Sequence, residues 1–456
     1  MLSAADNELL TRTGAGTPMG ALFRRFWTPV LLAQELPEPD CPPVRVTVMG
    51  EELIGFRDSN NRLGLLEAHC PHRGADLYFG RNEECGLRCV FHGLKFDVAG
   101  NCLEAPIFPR DGSYERTRER LKLKSYPVRE WGGMIWAYMG PPEAMSALPQ
   151  LELALVPASH RFVSKKYQEC NYAQALEGGL DTAHFSFLHM AVARGEDETL
   201  AVMGRSEAAG NRDRVRWLRN DPSPRFTVLE HDAGLVIAAS RRTDGDELYW
   251  RISQFLLPNH SLTPSAFPGD IYHGNSWVPI DDHSCWIYCY SWHPDRPLTA
   301  EEREKLRRGH TVHSEVDANW MPIRNKANNY RLDRTEQKLR SFTGIEGVSE
   351  QDAAIQNSQG VIADRTREFL GPTDLGIVRF RQLLLGSAKR LAAGQAPTAA
   401  AAPDAYRVRS GGTMGPSALP VPEVMIRRFG HPHGLIGAPQ AHDRADASPA
   451  RAAGGD

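Results

Sequence analysis

Cys70 and His72 stand two positions apart in CPHRG, and Cys89 and His92 three apart in CVFHG, with 16 residues between the pairs. Each pair offers one thiol and one imidazole. A Cys2His2 zinc finger groups its cysteines in one place and its histidines in another. Distributing one of each to two loops suits a [2Fe–2S] cluster instead, with two thiolates on one iron and two imidazoles on the other. Exchanging two thiolates for neutral imidazoles raises the potential to roughly −150 to +300 mV, against about −400 mV for plant-type clusters. Gly74 and Gly93 follow the pairs and give the backbone room to turn toward sulfur. A structural zinc ion is the competing reading. His69 adjoins Cys70 but breaks the spacing, so it is read as a non-ligand.

A second constellation lies in NYAQALEGGLDTAHFSFLH, where Glu177, Asp181, His184 and His189 follow one another. Two imidazoles and one carboxylate form the facial triad of non-haem Fe(II) oxygenases, which leaves coordination positions open for O2 and substrate. On a regular helix, residues five apart point about 140° away from each other. Convergence of His184 and His189 therefore needs a break, for which Gly178 and Gly179 offer a place. The carboxylate must come from elsewhere. Asp352 in GVSEQDAAIQNSQG is the candidate, with Glu350 and Asp364 as rivals. The plainer alternative is a pair of ordinary helix histidines.

The elements that must position these residues fall into two units. Residues 1–25 read as an amphipathic helical start broken at Gly14, Gly16 and Pro18. Short alternating runs such as PVRVTVMG, ELIGFRD and LGLLEAH give an all-β unit over 26–140, and Pro141–Pro149 reads as its exit linker. Over 150–395, strands (RFVSKKYQEC, LVIAASRR, YWRISQFLLP, SCWIYCYSW) precede helices (TAEEREKLRRGHTVHSEV, a piece near 350–369, GIVRFRQLLLGSAKRLAAG). The class is thus α+β, with an antiparallel sheet and helices gathered late. Residues 396–456 read as a C-terminal extension, partly disordered, with a polar tail over 434–456.

Composition narrows the function. Fifty-three Lys+Arg against 56 Asp+Glu give a net charge of −3, too balanced to hold a nucleic acid. No apolar run reaches the roughly 18–20 residues that cross a bilayer, and the N-terminus lacks a signal pattern, so the expectation is a cytoplasmic protein. Eight cysteines are too sparse for a disulfide scaffold. Cys285 and Cys289 alternate onto one face of a strand and read as core; His431 and His433 read as a surface pair.

Together, CPH…CVFHG and EGGLDTAHFSFLH resemble the catalytic (alpha) subunits of Rieske non-haem iron ring-hydroxylating oxygenases. The opening ELLTRTGAGTPMGALFRRFWTPVLLAQELPEPDCPPVRV and the later NNYRLDRTEQK…SEQDAAIQNSQG…DRTREFLGPTD are similar to the phthalate 4,5-dioxygenase branch. This covers about residues 5–390. The resemblance implies a Rieske domain on a helix-grip catalytic domain, one [2Fe–2S] cluster and one mononuclear Fe(II) per chain, and a trimeric homo-oligomer. It also implies a separate NADH-fed reductase carrying flavin and a plant-type cluster. Cys70 and Cys89 would hold one cluster iron, His72 and His92 the other; His184, His189 and Asp352 would hold the mononuclear iron. Asp181 would bridge His184 to a cluster histidine, His92, of the neighbouring subunit.

Two departures stand out. Phe91 and Leu94 flank His92-Gly93 where the family commonly has YHGW, and Glu177 replaces a frequent Asn. A phthalate-like substrate would call for an inward arginine, whose fork matches a carboxylate: Arg241 or Arg242, on opposite faces of one strand, or Arg251. The expected activity is dioxygenation of a carboxylated aromatic. O-demethylation or side-chain hydroxylation by the same centre is the alternative. An electron carrier or zinc-binding protein without oxygenase activity is the rival of another class.

Overall fold

The computed structural model describes residues 1–192, 195–203 and 209–437. The N-terminus forms two short helices, Ala4–Thr11 and Pro18–Phe23. Ser3 caps the first by accepting from the Asp6 N–H, and Thr17 caps the second, whose Pro18 costs nothing in the first turn. Phe23 packs edge-on against Tyr172 at 5.0 Å, tying this start to the later part of the chain.

Ten short strands follow: β1 (Trp27–Leu32), β2 (Val44–Val48), β3 (Glu51–Arg57), β4 (Leu63–Glu67), β5 (Arg81–Glu83), β6 (Gly86–Arg88), β7 (Lys95–Phe96), β8 (Cys102–Glu104), β9 (Val128–Trp131) and β10 (Met134–Tyr138). They make three antiparallel sheets, β2-β3-β4, β5-β6-β7-β8 and β1-β10-β9. Ile54, Phe56, Leu66, Leu87, Leu94 and Phe96 form a small core between them. Cys70 and His72 lie in the connection from β4 to β5, and Cys89 and His92 in the connection from β6 to β7.

The second unit is built on one antiparallel sheet. Its strands are β11 (Arg161–Gln168), β12 (Arg225–His231), β13 (Gly234–Arg242), β14 (Glu247–Leu256), β15 (His260–Leu262), β16 (Tyr272–Pro279) and β17 (Cys285–Trp292). They run in the order β11-β17-β16-β15-β14-β13-β12. The inner strands β13 to β17 are buried almost throughout, whereas the edge strands β11 and β12 are partly exposed. Helix Leu375–Ala392 lies across the sheet, with Phe380 edge-on to Phe255 at 4.8 Å. This is the expected α+β arrangement, an all-β unit leading into a sheet gripped by helices.

Three details depart from the sequence reading. The run TAEEREKLRRGHTVHSEV is helical only over Ala300–Arg307, started by a Thr299–Glu302 capping box and stopped before Gly309, whose φ is +89°. Gly178 and Gly179 do not interrupt their helix, which runs Tyr172–Leu180. They are small because they must be: a Cβ on Gly178 would strike Gln356, and one on Gly179 would lie 2.5 Å from the Trp277 ring. Finally, the segment read as an extension contributes β18 (Gly411–Pro416), which pairs with β14, and helix Val421–Phe429, whose Val421, Val424 and Met425 pack on Val236 and Ile252. Most of the polar tail, 438–456, lies outside the described residues. Among the described residues no helix is long and apolar enough to cross a membrane.

Candidate metal centres and active site

The two loops of the β unit are built alike. Cys70 N–H donates to Ala75 O and Gly74 N–H to Cys70 O; Cys89 N–H donates to Leu94 O and Gly93 N–H to Cys89 O. Each loop closes on a glycine in the left-handed region, φ +70° at Gly74 and +75° at Gly93. The thiols are buried and face each other, and the His72 and His92 rings meet at 4.5 Å between centroids. Burial, reinforced by the facing Cys89, pushes the Cys70 thiol up to about 11, although the His72 and Arg73 amides point at its sulfur. The Cys70 thiol thus resists ionisation until a metal supplies the positive charge. His92 Nδ1 is buried with no hydrogen-bond partner, an expensive state for a nitrogen that has no other role. The donor set fits a [2Fe–2S] cluster. His69 reaches Glu52 at 3.2 Å and takes no part. Phe91 is exposed and packs on His92, whereas Leu94 is core.

In the second unit the helix ends at Leu180 and Asp181 turns extended, with ψ 129°. A single 3-10 turn, His184–Ser186, follows. That break, just beyond the glycines, lets side chains five apart converge. His184 Nε2 lies 3.1 Å from His189 Nε2, and Asp352 Oδ1 is 3.4 Å from the first and 3.3 Å from the second. Ligand-type atoms of all three lie within 4.8 Å of one another. Asp352 arrives on helix Val348–Ser358. Burial alone would raise its carboxyl, but His189 and His184 hold it below the ordinary carboxylate range.

The rivals for that place are elsewhere. Glu350 is buried on the same helix, pushed up to about 7 by desolvation, and Asp364 accepts from Thr366 in a local turn. Asp181 faces the other edge of His184, with Oδ2 3.2 Å from Nδ1, and is steadied by the Ala183 N–H at 2.7 Å. Glu177 sits in an ion-pair node with Arg365 and Arg381.

Asp181, His184 and Asp352 line two openings. One is an outer groove shared with Glu177, Arg367 and Glu368. The other is an inner cavity walled by Lys166, Phe185, Arg251, His273, Asn275 and Trp277.

The three arginines now separate. Arg242 is 83% exposed and pairs with Asp221, so it does not face the cavity. Arg241 is buried, bonds the Thr182 and Asp221 carbonyls and keeps one nitrogen unpartnered, but it does not line the cavity. Only Arg251 lines the cavity; its Nε donates to Thr182 Oγ1, its guanidinium lies 4.4 Å over the Phe185 ring, and its NH2 nitrogen is buried without a partner. Alternation along β13 buries Arg241 and exposes Arg242, while the arginine that lines the cavity lies on β14.

Sequence reading missed Gln351 and Lys166. Gln351 accepts from His189 Nδ1–H at 2.7 Å and anchors on Ile345 O at 2.8 Å. Its neighbour Asp352 was the only signal. Lys166, 5% exposed, lines the cavity and bonds Ser349 Oγ; an alternating strand hid it. Cys285 and Cys289 are core. His433 stacks on His231 at 5.9 Å, so it is more than a surface group.

Comparison with known proteins agrees with this geometry. A family model for the Rieske [2Fe-2S] domain matches residues 26–127, and one described as LigXa C-terminal domain like matches 137–410. The phthalate 4,5-dioxygenase oxygenase subunit of Pseudomonas putida is 39% identical over 404 residues, 87% of this chain and 88% of that one. The 3-chlorobenzoate-3,4-dioxygenase oxygenase subunit of Comamonas testosteroni is 34% identical, covering 84% and 88%. Among solved structures, dicamba monooxygenase bound to dicamba superposes with a TM-score of 0.55 at 17% identity, covering 82% of this chain and 100% of that one. The chain belongs to the Rieske non-haem iron oxygenases. Within them it groups with the oxygenase subunits of multicomponent dioxygenases.

Proposed function

We propose that this chain is the terminal oxygenase that hydroxylates a carboxylated aromatic ring, with Cys70, His72, Cys89 and His92 holding the cluster and His184, His189 and Asp352 the mononuclear iron. The observation that carries this is the convergence of three ligand atoms within 4.8 Å on the wall of an inner cavity. When bound, the cluster supplies single electrons and the ferrous ion activates O2.

The protein's own groups do the rest. Gln351 fixes the His189 ring in the tautomer that keeps Nε2 for the metal, and Asp181 does the same for His184. Arg251, with an uncommitted buried N–H group, receives a substrate carboxylate, and Lys166 adds a second buried cation to the same cavity. Phe185 and Trp277 present aromatic faces to the ring.

Asp181 also borders the outer groove, open to the imidazole edge of His72 or His92 in a neighbouring copy. That reading needs at least two copies, and we read the enzyme as a trimer or a multiple of three, with exposed Val90 and Phe91 beside one centre and exposed Phe187, Phe342 and Ile355 beside the other as mating surfaces. Electrons come from NADH through a flavin/[2Fe–2S] reductase. Eight free thiols fit a reducing cytoplasm. We draw the domains at 26–140 and 150–395, the second completed by the strand Gly411–Pro416 and the helix Val421–Phe429.

The test is turnover with NADH and a reductase across benzene carboxylates and methoxybenzoates under 18O2. Two labelled atoms in the product establish dioxygenation, and one establishes monooxygenation. Iron at the cluster alone, with no labelled product, would overturn the reading in favour of an electron carrier.

A further inference from the structure

The inner cavity has a polar exit through its wall. His273, on β16, lines the cavity. Its Nδ1 lies 2.7 Å from Ser291 Oγ, its register partner on β17. The same hydroxyl is 2.8 Å from His313 Nε2, and His313 Nδ1 is 2.7 Å from Ser164 Oγ on β11. Ser291 and His313 are wholly buried, whereas Ser164, on the edge strand of the sheet, is partly exposed. Phe162 closes on the His313 ring edge-on at 5.0 Å, sealing the middle of the row.

Each member can both give and take a hydrogen bond. Burial, with His273 and Lys166 nearby, holds His313 well below the ordinary imidazole range, so it is neutral with one N–H and one lone pair. A serine hydroxyl has a donor and two lone pairs. All three links can therefore point inward, from Ser164 to His313 to Ser291 to His273, or all outward. Stability gives no reason for such a row, since apolar residues of the same shape fill a sheet face about as well.

We propose that Ser164, His313, Ser291 and His273 form a proton path from the surface into the active-site cavity. The inference rests on the oxygenase reading above. An aromatic ring, O2, two electrons and two protons give a dihydrodiol; monooxygenation consumes the same two protons and releases water. In each passage a solvent proton adds to Ser164 Oγ, whose own proton moves to His313 Nδ1. The His313 Nε2 proton moves to Ser291 Oγ, the Ser291 proton to His273 Nδ1, and the His273 Nε2 proton leaves toward the cavity. Every N–H or O–H bond broken is replaced by one formed, and no member keeps the charge. The row is left pointing outward and must turn back to its inward orientation before the second proton follows. Lys166, the fixed cation facing His313, disfavours a proton resting there.

The test uses the iron-loaded enzyme with its reductase. Ser291→Ala cuts two links without adding bulk, and Ser164→Val cuts the entry far from substrate. Both are expected to slow product formation about tenfold or more, to enlarge the solvent deuterium isotope effect, and to divert O2 to hydrogen peroxide, with KM unchanged. Each also lowers the melting temperature, Ser291→Ala more, by leaving buried imidazole nitrogens unpaired. Ser291→Thr, which keeps the hydroxyl, restores rate and isotope effect. Wild-type rates and isotope effects in both cut variants overturn the path. So does a loss confined to Ser291→Ala with Ser164→Val unaffected, which marks a packing role. Wild-type enzyme that yields no labelled product overturns the oxygenase reading, and the path falls with it.

Discussion

At the scale of single residues, the metal triad is held by groups that never need to touch metal. Gln351 binds His189 and is itself pinned on Ile345 O, so its contribution is orientation. Gln351→Leu keeps the volume and removes the acceptor. Iron affinity at the mononuclear site is expected to fall about 10–100-fold, read by Fe(II) titration with the Rieske spectrum as the internal control; unaltered affinity removes Gln351 from the account. Asp181→Asn keeps the size and the bond to Ala183 N–H but removes the charge facing His184. The expected outcome is a normal cluster spectrum, weaker mononuclear iron binding because an amide NH2 now faces His184 Nδ1, and loss of product formation per bound iron; unchanged turnover would refute the bridge.

At the scale of elements, the site depends on how closely helix Tyr172–Leu180 lies against β16 and helix Val348–Ser358. Gly179 faces Trp277 and Gly178 faces Gln356 with no room for a methyl group. Gly179→Ala is expected to destabilise the fold by about 1–3 kcal/mol through overpacking, despite the better helix propensity of alanine. It should also weaken iron binding, because the same helix end delivers Asp181 and His184. Chemical denaturation and iron content check the two effects together. A stabilised, fully loaded variant would show that the approach is looser than described.

At the scale of the whole molecule, the cluster loops and the Asp181 groove are each open to a partner. Mixed oligomers test whether they meet between chains. Cys89→Ser chains and Asp352→Ala chains, each inactive alone, are expected to regain a fraction of turnover when co-assembled. Absence of recovery in verified mixed oligomers would confine electron transfer to one chain.

Acid stability is a second property of the whole. Burial lowers His231 to about 4 and His260 to about 3, and His313 lies well below its ordinary value. All three are neutral in the fold down to those values, while the unfolded chain takes up their protons below about 6.5. The histidines' contribution is therefore undiminished above pH 6.5 and falls as pH drops toward 4. It is opposed between about 4.5 and 7 by the slope of one group, Glu350, which burial raises to about 7. Each histidine contributes a slope of about 1.4 kcal/mol per pH unit. Melting temperatures between pH 7.5 and 4.5 read this directly, and a flat profile would contradict the burial.

What the sequence determined by itself was the chemistry carried by local spacing. Cys70-x-His72, Cys89-x2-His92 and the five-residue step from His184 to His189 declare their donors because short loops constrain neighbours in the chain, whatever the rest of the fold does. Strand and helix types followed for the same reason, since periodicity is local. Only the tertiary structure decided which of Glu350, Asp352 and Asp364 meets the histidines, which arginine faces the cavity, and that residues 411–416 complete the sheet. Those choices depend on distances between segments more than 100 residues apart, such as His189 and Gln351. No periodicity in the chain encodes such distances. They emerge when close packing, as at Gly179 against Trp277, leaves a single way for the helices and the sheet to fit.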